Sequence, residues 1–267
     1  MGIAIAPLFS SSSGNCVYIS DGKNQILIDA GVTGSKAEEA LHFIGKTPAD
    51  LSGILVTHEH IDHVKGVGVL SRKYNLPVFA NADTWNAMQK KIGDISLRNT
   101  RIIDDGEFYI DSLCIRPVHT YHDAADPLAY AIYSGGKKVG VMTDTGHVTR
   151  AMVDAMEQAS IIMLEANHDV EMLKNGNYSA TLKKRILSGN GHLSNDSAGD
   201  VSAELVKRGV RGILLSHLSR DNNRKDLAME TVRDLLHEKG IEAGKDVSLG
   251  MTRKDHVTGY YRIGEVD

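Results

Sequence analysis

Three imidazoles and two carboxylates fall within six residues in Thr57-His58-Glu59-His60-Ile61-Asp62-His63, directly after the apolar run Gly53–Val56. His58 and His60 are two apart, so on an extended chain both point the same way. Asp62 and His63 then open a helix, which turns them toward a second point. Mixed nitrogen and oxygen donors aimed at two neighbouring points suit two adjacent divalent ions. A surface turn that happens to be rich in histidine would have no reason to follow a buried strand so closely. A water shared by two such ions has its pKa lowered toward neutrality and serves as a hydroxide nucleophile, so no side-chain nucleophile is required.

This motif resembles that of the metallo-β-lactamase superfamily, in particular its hydrolytic dinuclear members. The resemblance implies an α+β four-layer αββα sandwich, with two mixed sheets face to face and helices outside. It also assigns residues outside the motif. Asp29, ending Ile26-Leu27-Ile28, corresponds to an early structural aspartate that supports the metal loop. Asp144, in Met142-Thr143-Asp144-Thr145-Gly146, corresponds to the residue held by both ions; a cysteine there would suggest a true β-lactamase. His217, ending Ile213-Leu214-Leu215-Ser216, corresponds to the last ligand. One more histidine is required between His63 and Asp144, where His119 and His122 are the candidates. The spacing to the aromatic strand around Tyr130 favours His122, with His119 as the alternative. The ligand set is then His58, His60 and His122 for one ion, Asp62, His63 and His217 for the other, and Asp144 for both. The metals fit manganese or zinc, with iron possible.

A finer resemblance runs over nearly the whole chain, to the WalJ/YycJ family. It is carried by Ser12-Ser13-Gly14-Asn15-Cys16, His122-Asp123-Ala124-Ala125-Asp126-Pro127, Glu165-Ala166-Asn167-His168-Asp169, Gly191-His192-Leu193-Ser194-Asn195 and His217-Leu218-Ser219-Arg220-Asp221-Asn222-Asn223. One departure is Ala166, where serine is expected. The resemblance implies a metal-dependent DNA exonuclease of 5′→3′ polarity that uses manganese.

Asp62 and His192 are the candidate catalytic residues. Gly191-His192-Leu193-Ser194 resembles the Gly-His-Ser-Thr segment of tRNase Z enzymes, in which the histidine donates a proton; a helix-entry histidine without chemistry is the alternative. Candidate substrate-binding residues are Ser13, Asn15, His168, Ser194, Ser219, Arg220 and Asn222. The small donors of Ser11–Asn15 suit a terminal phosphate, or form a plain polar turn. His168 ends a strand, where ligand sites cluster in α/β folds, or is structural. Lys183-Lys184-Arg185 and Arg220, Arg224 and Lys225 suit phosphate-backbone contacts, or are solvated faces. His42, His147, His237 and His256 read as packing or surface residues.

The elements that must position these groups are legible in outline. Strands are expected at Ile3–Phe9, Cys16–Ser20, Gln25–Asp29, Gly53–Thr57, Pro77–Ala80, Phe108–Ile110, Leu113–Val118, Leu128–Ser134, Lys137–Met142, Ile161–Glu165, Gly212–Ser216, Ser248–Met251 and Val257–Arg262. Helices are expected from a capping box at Ser35-Lys36-Ala37-Glu38 to about Gly45, then at Asp62–Tyr74, Val148–Gln158, Asn195–Arg208 and Lys225–Lys239. Ser10–Asn15 reads as a polar loop, and Asp21–Asn24 and Gly135-Gly136 as hairpin turns. No linker or short-period repeat divides the chain, which reads as one domain over residues 1–267.

Composition narrows the function classes. Among 267 residues, 42% are hydrophobic and 24% charged, which excludes global disorder. The net charge of −4 excludes a general polyanion binder, so any DNA contact needs a local patch. Cys16 and Cys114 lie in apolar segments and read as buried thiols. The N-terminus has no basic stretch followed by a long apolar run, so a cytoplasmic protein with no membrane contact and no obligate protein partner is expected. The stretch between Asp144 and His217 is too short for the inserted domain of β-CASP nucleases. Three readings remain: a phosphodiesterase acting on DNA ends, a small-molecule hydrolase (phosphodiester, lactone or thioester) on the same site, and a scaffold that retains metals. The intact ligand positions speak against the third.

Overall fold

In a computed structural model describing residues 2–264, the chain forms two mixed sheets with helices on both outer faces. The expected unit over 1–267 extends beyond these residues at both ends. In chain order the first half contributes β1 (Gly2–Ser11), β2 (Gly14–Ser20), β3 (Gln25–Ile28), α1 (Gly34–Phe43), β4 (Gly53–Leu55), α2 (Ile61–Val64), α3 (Val67–Tyr74), β5 (Val78–Ala80), α4 (Ala82–Ile92) and β6 (Thr100–Ile102). The second half contributes β7 (Phe108–Ile110), β8 (Leu113–His119), β9 (Leu128–Ser134), β10 (Lys137–Met142), α5 (Arg150–Met156), β11 (Ile161–Glu165), α6 (Val170–Asn175), α7 (Ala180–Ile186), α8 (Asn195–Lys207), β12 (Gly212–Ser216), α9 (Lys225–Glu238), β13 (Ser248–Met251) and β14 (Tyr261–Gly264). One sheet has the order β14-β1-β2-β3-β4-β5-β6, the other β13-β12-β11-β10-β9-β8-β7.

The period-2 alternation of side chains divides the core into layers. Ile3, Ile5, Ile26 and Ile28 face Ile132, Val139, Val141 and Leu214 of the opposite sheet. Their neighbours Ala6, Leu8 and Leu27 face outward, onto Leu41, Leu70 and Met88 of α1, α3 and α4. Across the molecule Ile162, Leu164, Ile213 and Leu215 face Met152, Ala203 and Val232 of α5, α8 and α9. Both faces of each central sheet are covered, so their strands read as continuous apolar runs. This is the expected αββα sandwich.

Several expectations change in detail. Ser10–Asn15 is a continuation of β1 and β2 around a tight turn, with Ser10 and Asn15 paired across it. Its polar side chains are satisfied by the neighbouring site: Ser10 Oγ accepts from the backbone N–H of His217 at 3.0 Å. Helix α1 is capped by Thr33, whose hydroxyl accepts from Lys36 N, instead of by Ser35. The helix expected over Asp62–Tyr74 is broken at Gly66, whose N–H donates to Ala30 O at 2.7 Å, so α2 and α3 are separate. Helices α4, α6 and α7 and strand β6 were not anticipated. The last strand pairs with β1 only from Tyr261 on. Cys16 is buried, but Cys114 is only partly so, on a strand near the sheet edge.

Candidate metal centre

The site lies where loops leave the carboxyl ends of strands in both sheets, the place at which open α/β sheets collect ligands. Asp29 and His217 follow directly on strands β3 and β12, Asp144 follows β10 after Thr143, and each has a left-handed backbone, with φ of 60°, 55° and 55°. Such conformations are costly for residues other than glycine and persist where surrounding structure over-determines them. Here they end each strand abruptly.

The first sheet supplies the histidine cluster. Thr57 accepts this burden through Asp29: its N–H and hydroxyl donate to the two Asp29 oxygens, each at 2.8 Å. Asp29 Oδ2 also lies 2.7 Å from His63 Nδ1. Because a carboxylate only accepts, His63 donates its Nδ1 proton to Asp29, which turns Nε2 toward Asp144 and Asp62. His122, from the loop after β8, is set the same way: Nδ1 donates to Gly191 O at 2.9 Å. Its Nε2 joins one ring nitrogen each of His58 and His60 in a group whose atoms lie within 4.8 Å of one another.

Asp144 stands between this group and a second one. Its Oδ1 faces His122 Nε2 at 3.8 Å, while Oδ2 faces His63 Nε2 at 3.3 Å and His217 Nδ1 at 2.9 Å. Asp62 Oδ2 is 3.6 Å from His63 Nε2. Asp144 Oδ2, His217 Nδ1 and His58 Nε2 are all buried without a hydrogen-bond partner. The first two are 2.9 Å apart but not aligned as a hydrogen bond. Buried polar atoms left in this state are costly unless something else satisfies them, and a divalent cation fits the nitrogen and oxygen donor set.

The electrostatics agree. Burial alone would raise the Asp144 carboxyl, but His217 and His63 hold it well below the usual carboxylate range. Burial would lower His63 and His217; the adjacent carboxylates, Asp29 and Asp144 for His63 and Asp144 for His217, raise both, His217 to about 9. His58, with burial and His63 acting together, is held well below its ordinary value. The pocket thus attracts positive charge at the Asp144 side and keeps His58 neutral as a donor.

His192 and Glu165 form the floor beside Asp144. Glu165 is fully buried at the end of β11; Oε2 accepts from Thr145 N at 3.0 Å and Leu193 N at 3.3 Å. Its Oε1 lies 2.6 Å from His192 Nδ1. Glu165, His192, Asp144 and His217 also satisfy the geometry of a metal-binding group, but with its oxygens engaged in this way Glu165 acts as a brace for His192. Burial would lower His192, and Glu165 outweighs it, so the ring is raised above its ordinary value. Glu165 was missed in the sequence. A glutamate closing Ile161-Ile162-Met163-Leu164 was the available signal, since an unpaired carboxylate rarely ends so apolar a strand.

The remaining sequence candidates are distributed around this centre. Asn15 touches it directly, its amide nitrogen 3.0 Å from His63 Nε2 and 3.4 Å from Asp62 O. His168 is buried nearby with both ring nitrogens unpartnered, and burial lowers it to about 4. Ser194 is the N-cap of α8, and Ser219 Oγ accepts from Asn222 N at 3.2 Å. Asn222 is buried against Gly176, and its side chain has no partner. Ser13 is exposed on the turn, and Arg220 lies at the rim, paired with Asp255 at 3.1 Å. Arg185 of α7 pairs with Asp123, which itself lies 3.2 Å from His122 Nε2. His119 stands apart: its two ring nitrogens meet Asp126 at 2.7 Å and Asp105 at 2.9 Å. His147 stacks on Tyr121 at the rim, with ring centroids 4.1 Å apart.

Comparison with known proteins places this geometry in a family. Residues 24–221 match the beta-lactamase superfamily domain. The chain is 41% identical to an exodeoxyribonuclease YycJ of Bacillus anthracis over 246 residues, 92% of this chain and 93% of that one. It is 38% identical to an exodeoxyribonuclease WalJ of Streptococcus pneumoniae, covering 97% of each. Among solved structures it resembles the metallo-β-lactamase fold protein YhfI of Bacillus subtilis, with a TM-score of 0.73 at 15% identity over 98% of this chain and 100% of that one. No described helix is long and apolar enough to cross a membrane.

Proposed function

The chain belongs to the β-lactamase superfamily, as a hydrolase of its WalJ/YycJ family, and from that premise we propose that it is a metal-dependent phosphodiesterase degrading DNA from a 5′ end. The observation that carries the reading is Asp144, one oxygen toward His122 and the other toward His63 and His217. Such an arrangement suits two ions sharing one carboxylate. His58, His60 and His122 would hold one ion; Asp62, His63 and His217 the other; and Asp144 both. Two divalent ions there, manganese, zinc or iron, would neutralise phosphoryl oxygens and activate water for in-line displacement.

The chain's own residues do the rest. Asp29 and Thr57 fix the His63 and His58 rings. Glu165 accepts the Nδ1 proton of His192 and favours the doubly protonated ring, whose separate Nε2 proton passes to the leaving sugar oxygen. Asn15 lines the approach of the terminal phosphate, and His168, buried with two unsatisfied ring nitrogens, acts from beneath that surface. Ser194, Ser219, Asn222, Ser13 and Arg220 form or support the surrounding rim. The names of the two relatives support DNA as the substrate.

A small-molecule hydrolase on the same site is the second reading. The net charge of −4 favours it, as does the pairing of Arg185 and Arg220 with carboxylates. A substrate panel at fixed Mn²⁺ separates the two: 5′-phosphorylated single- and double-stranded DNA, RNA, bis-p-nitrophenyl phosphate, lactones and thioesters. Mononucleotide release from the 5′ end of DNA, faster than turnover of every small ester, is the expected result. Faster lactone or thioester turnover with intact DNA would replace the nuclease reading.

A further inference from the structure

Beside the rim at Ser219 and Arg220, a groove opens between α1 and the loop that precedes β14. It joins two cavities of about 240 and 730 Å³ that share Phe43, Arg253 and Val257. Phe9 and Val257 form its apolar floor. Lys36, Ala40 and Phe43 project into it from one face of α1, the i, i+4, i+7 spacing of a helix. Lys36 and Phe43 are about 10 Å apart along that axis. At its far end lie Lys46, Tyr260 and Arg262, the guanidinium 5.3 Å from the Tyr260 ring centroid.

The near end of this groove is tied to the metal centre. Lys254 donates to Ser219 O at 3.2 Å, and Arg220 pairs with Asp255 at 3.1 Å. Ser219 and Arg220 lie two and three residues beyond His217, so these contacts join the wall of the groove to the segment that carries a candidate ligand.

Two features set this surface apart. The side chain of Phe43 is 79% exposed although it is large and apolar. Four cations, Lys36, Lys46, Arg253 and Arg262, line the groove against two carboxylates, Glu39 and Asp255, in a chain whose net charge is −4. None of the four cations has a carboxylate partner among the described residues, whereas Asp255 is already paired with Arg220. A single exposed aromatic among unpaired cations is the pattern that binds single strands: cations track the phosphates and a base stacks on the ring. An apolar peptide would use the floor of Phe9 and Val257 but leave the four cations without counter-charges, whereas a strand uses both.

We propose that this groove carries a single DNA strand toward the metal centre, with a base stacked on Phe43 and phosphates against Lys36, Arg253 and Arg262. The proposal rests on the nuclease reading above and extends it to the path of the strand.

The probe is a 5′-phosphorylated single strand of about 15 nucleotides with a phosphorothioate backbone and a 3′ fluorophore. Its binding to the metal-loaded protein is followed by anisotropy across a salt series. Phe43→Ala is expected to weaken binding about 5- to 150-fold, the range of one lost stacking contact, with little change in salt slope. Arg253→Ala is expected to lower the slope by about 0.7, one phosphate contact on a single strand. Both variants should hydrolyse bis-p-nitrophenyl phosphate and retain metal as wild type does. If wild type binds and degrades DNA and both variants match it, the strand runs elsewhere and the groove assignment falls while the nuclease reading stands. If wild type neither binds nor degrades DNA, both fall. A Phe43→Ala change in self-association by sedimentation velocity, with DNA binding unaltered, makes the groove a contact between copies and also overturns the proposal.

Discussion

Glu165 Oε1 lies 2.6 Å from His192 Nδ1, and the same carboxylate receives the N–H groups of Thr145 and Leu193. One buried acid thus orients the ring, fixes its tautomer and ties the loop after β10 to the loop before α8. That combination gives His192 a defined proton and a defined direction, which is what donation to a leaving oxygen requires.

His192→Ala should therefore slow DNA cleavage by roughly 10²–10⁴-fold. Bis-p-nitrophenyl phosphate, whose leaving group needs no proton, should lose far less. Metal content by elemental analysis should stay at two per chain. Glu165→Gln removes the charge that raises His192, so the alkaline limb of the DNA-cleavage pH profile should move to lower pH. Equal loss on both substrates for His192→Ala would mean that the ring stabilises phosphoryl oxygens.

Asp144→Ala should lower metal content and activity together, activity by roughly a thousandfold or more. Elemental analysis alongside turnover is the measurement. Two tightly held metals in that variant would remove Asp144 from the shared position.

His122→Ala should lose one metal and most activity. His119→Ala should keep both metals and show only a small fall in Tm, because His119 links two exposed or partly exposed carboxylates. The reverse pattern would exchange the two assignments.

His168 has an acid-side signature. Its folded pKa is depressed from 6.5 to about 4, so the unfolded chain binds the proton first. The stability it contributes is full above pH 6.5 and is lost as pH falls toward 4, roughly 3 kcal/mol at most. Urea unfolding of the metal-loaded protein at pH 7 and pH 5 should show a larger drop for wild type than for His168→Asn. Equal drops would mean that His168 gains a partner in solution.

Much of the centre was legible because its most telling residues are local. His58, His60, Asp62 and His63 sit in one short segment, and Asp29, Asp144 and His217 each come within two residues after an apolar strand. What was not legible depends on tertiary approach. The break between α2 and α3 follows from Gly31 and Gly66 packing against backbone: a Cβ on Gly31 would overlap the Asp62 carbonyl. The Ser10–Asn15 segment was misread because serine and asparagine signal turns, whereas Ser10 and Asn15 find their partners at His217, Asp62 and His63. The His192–Glu165 pair joins residues from separate loops, and no local pattern announces it.

The division of the candidate ligands between the two sheets has a consequence during synthesis. The segment from His58 to His63 leaves the ribosome well before Asp144 and His217. At about 5–20 residues per second the interval is on the order of ten seconds. During it the nascent chain presents three imidazoles and two carboxylates with no opposing carboxylate to fix their stoichiometry. An ion captured then meets an incomplete set of donors, and the inner face of the first sheet is still uncovered. Correct loading is therefore a late event, and a chain stalled before β7 would be a chelating, aggregation-prone half-sandwich.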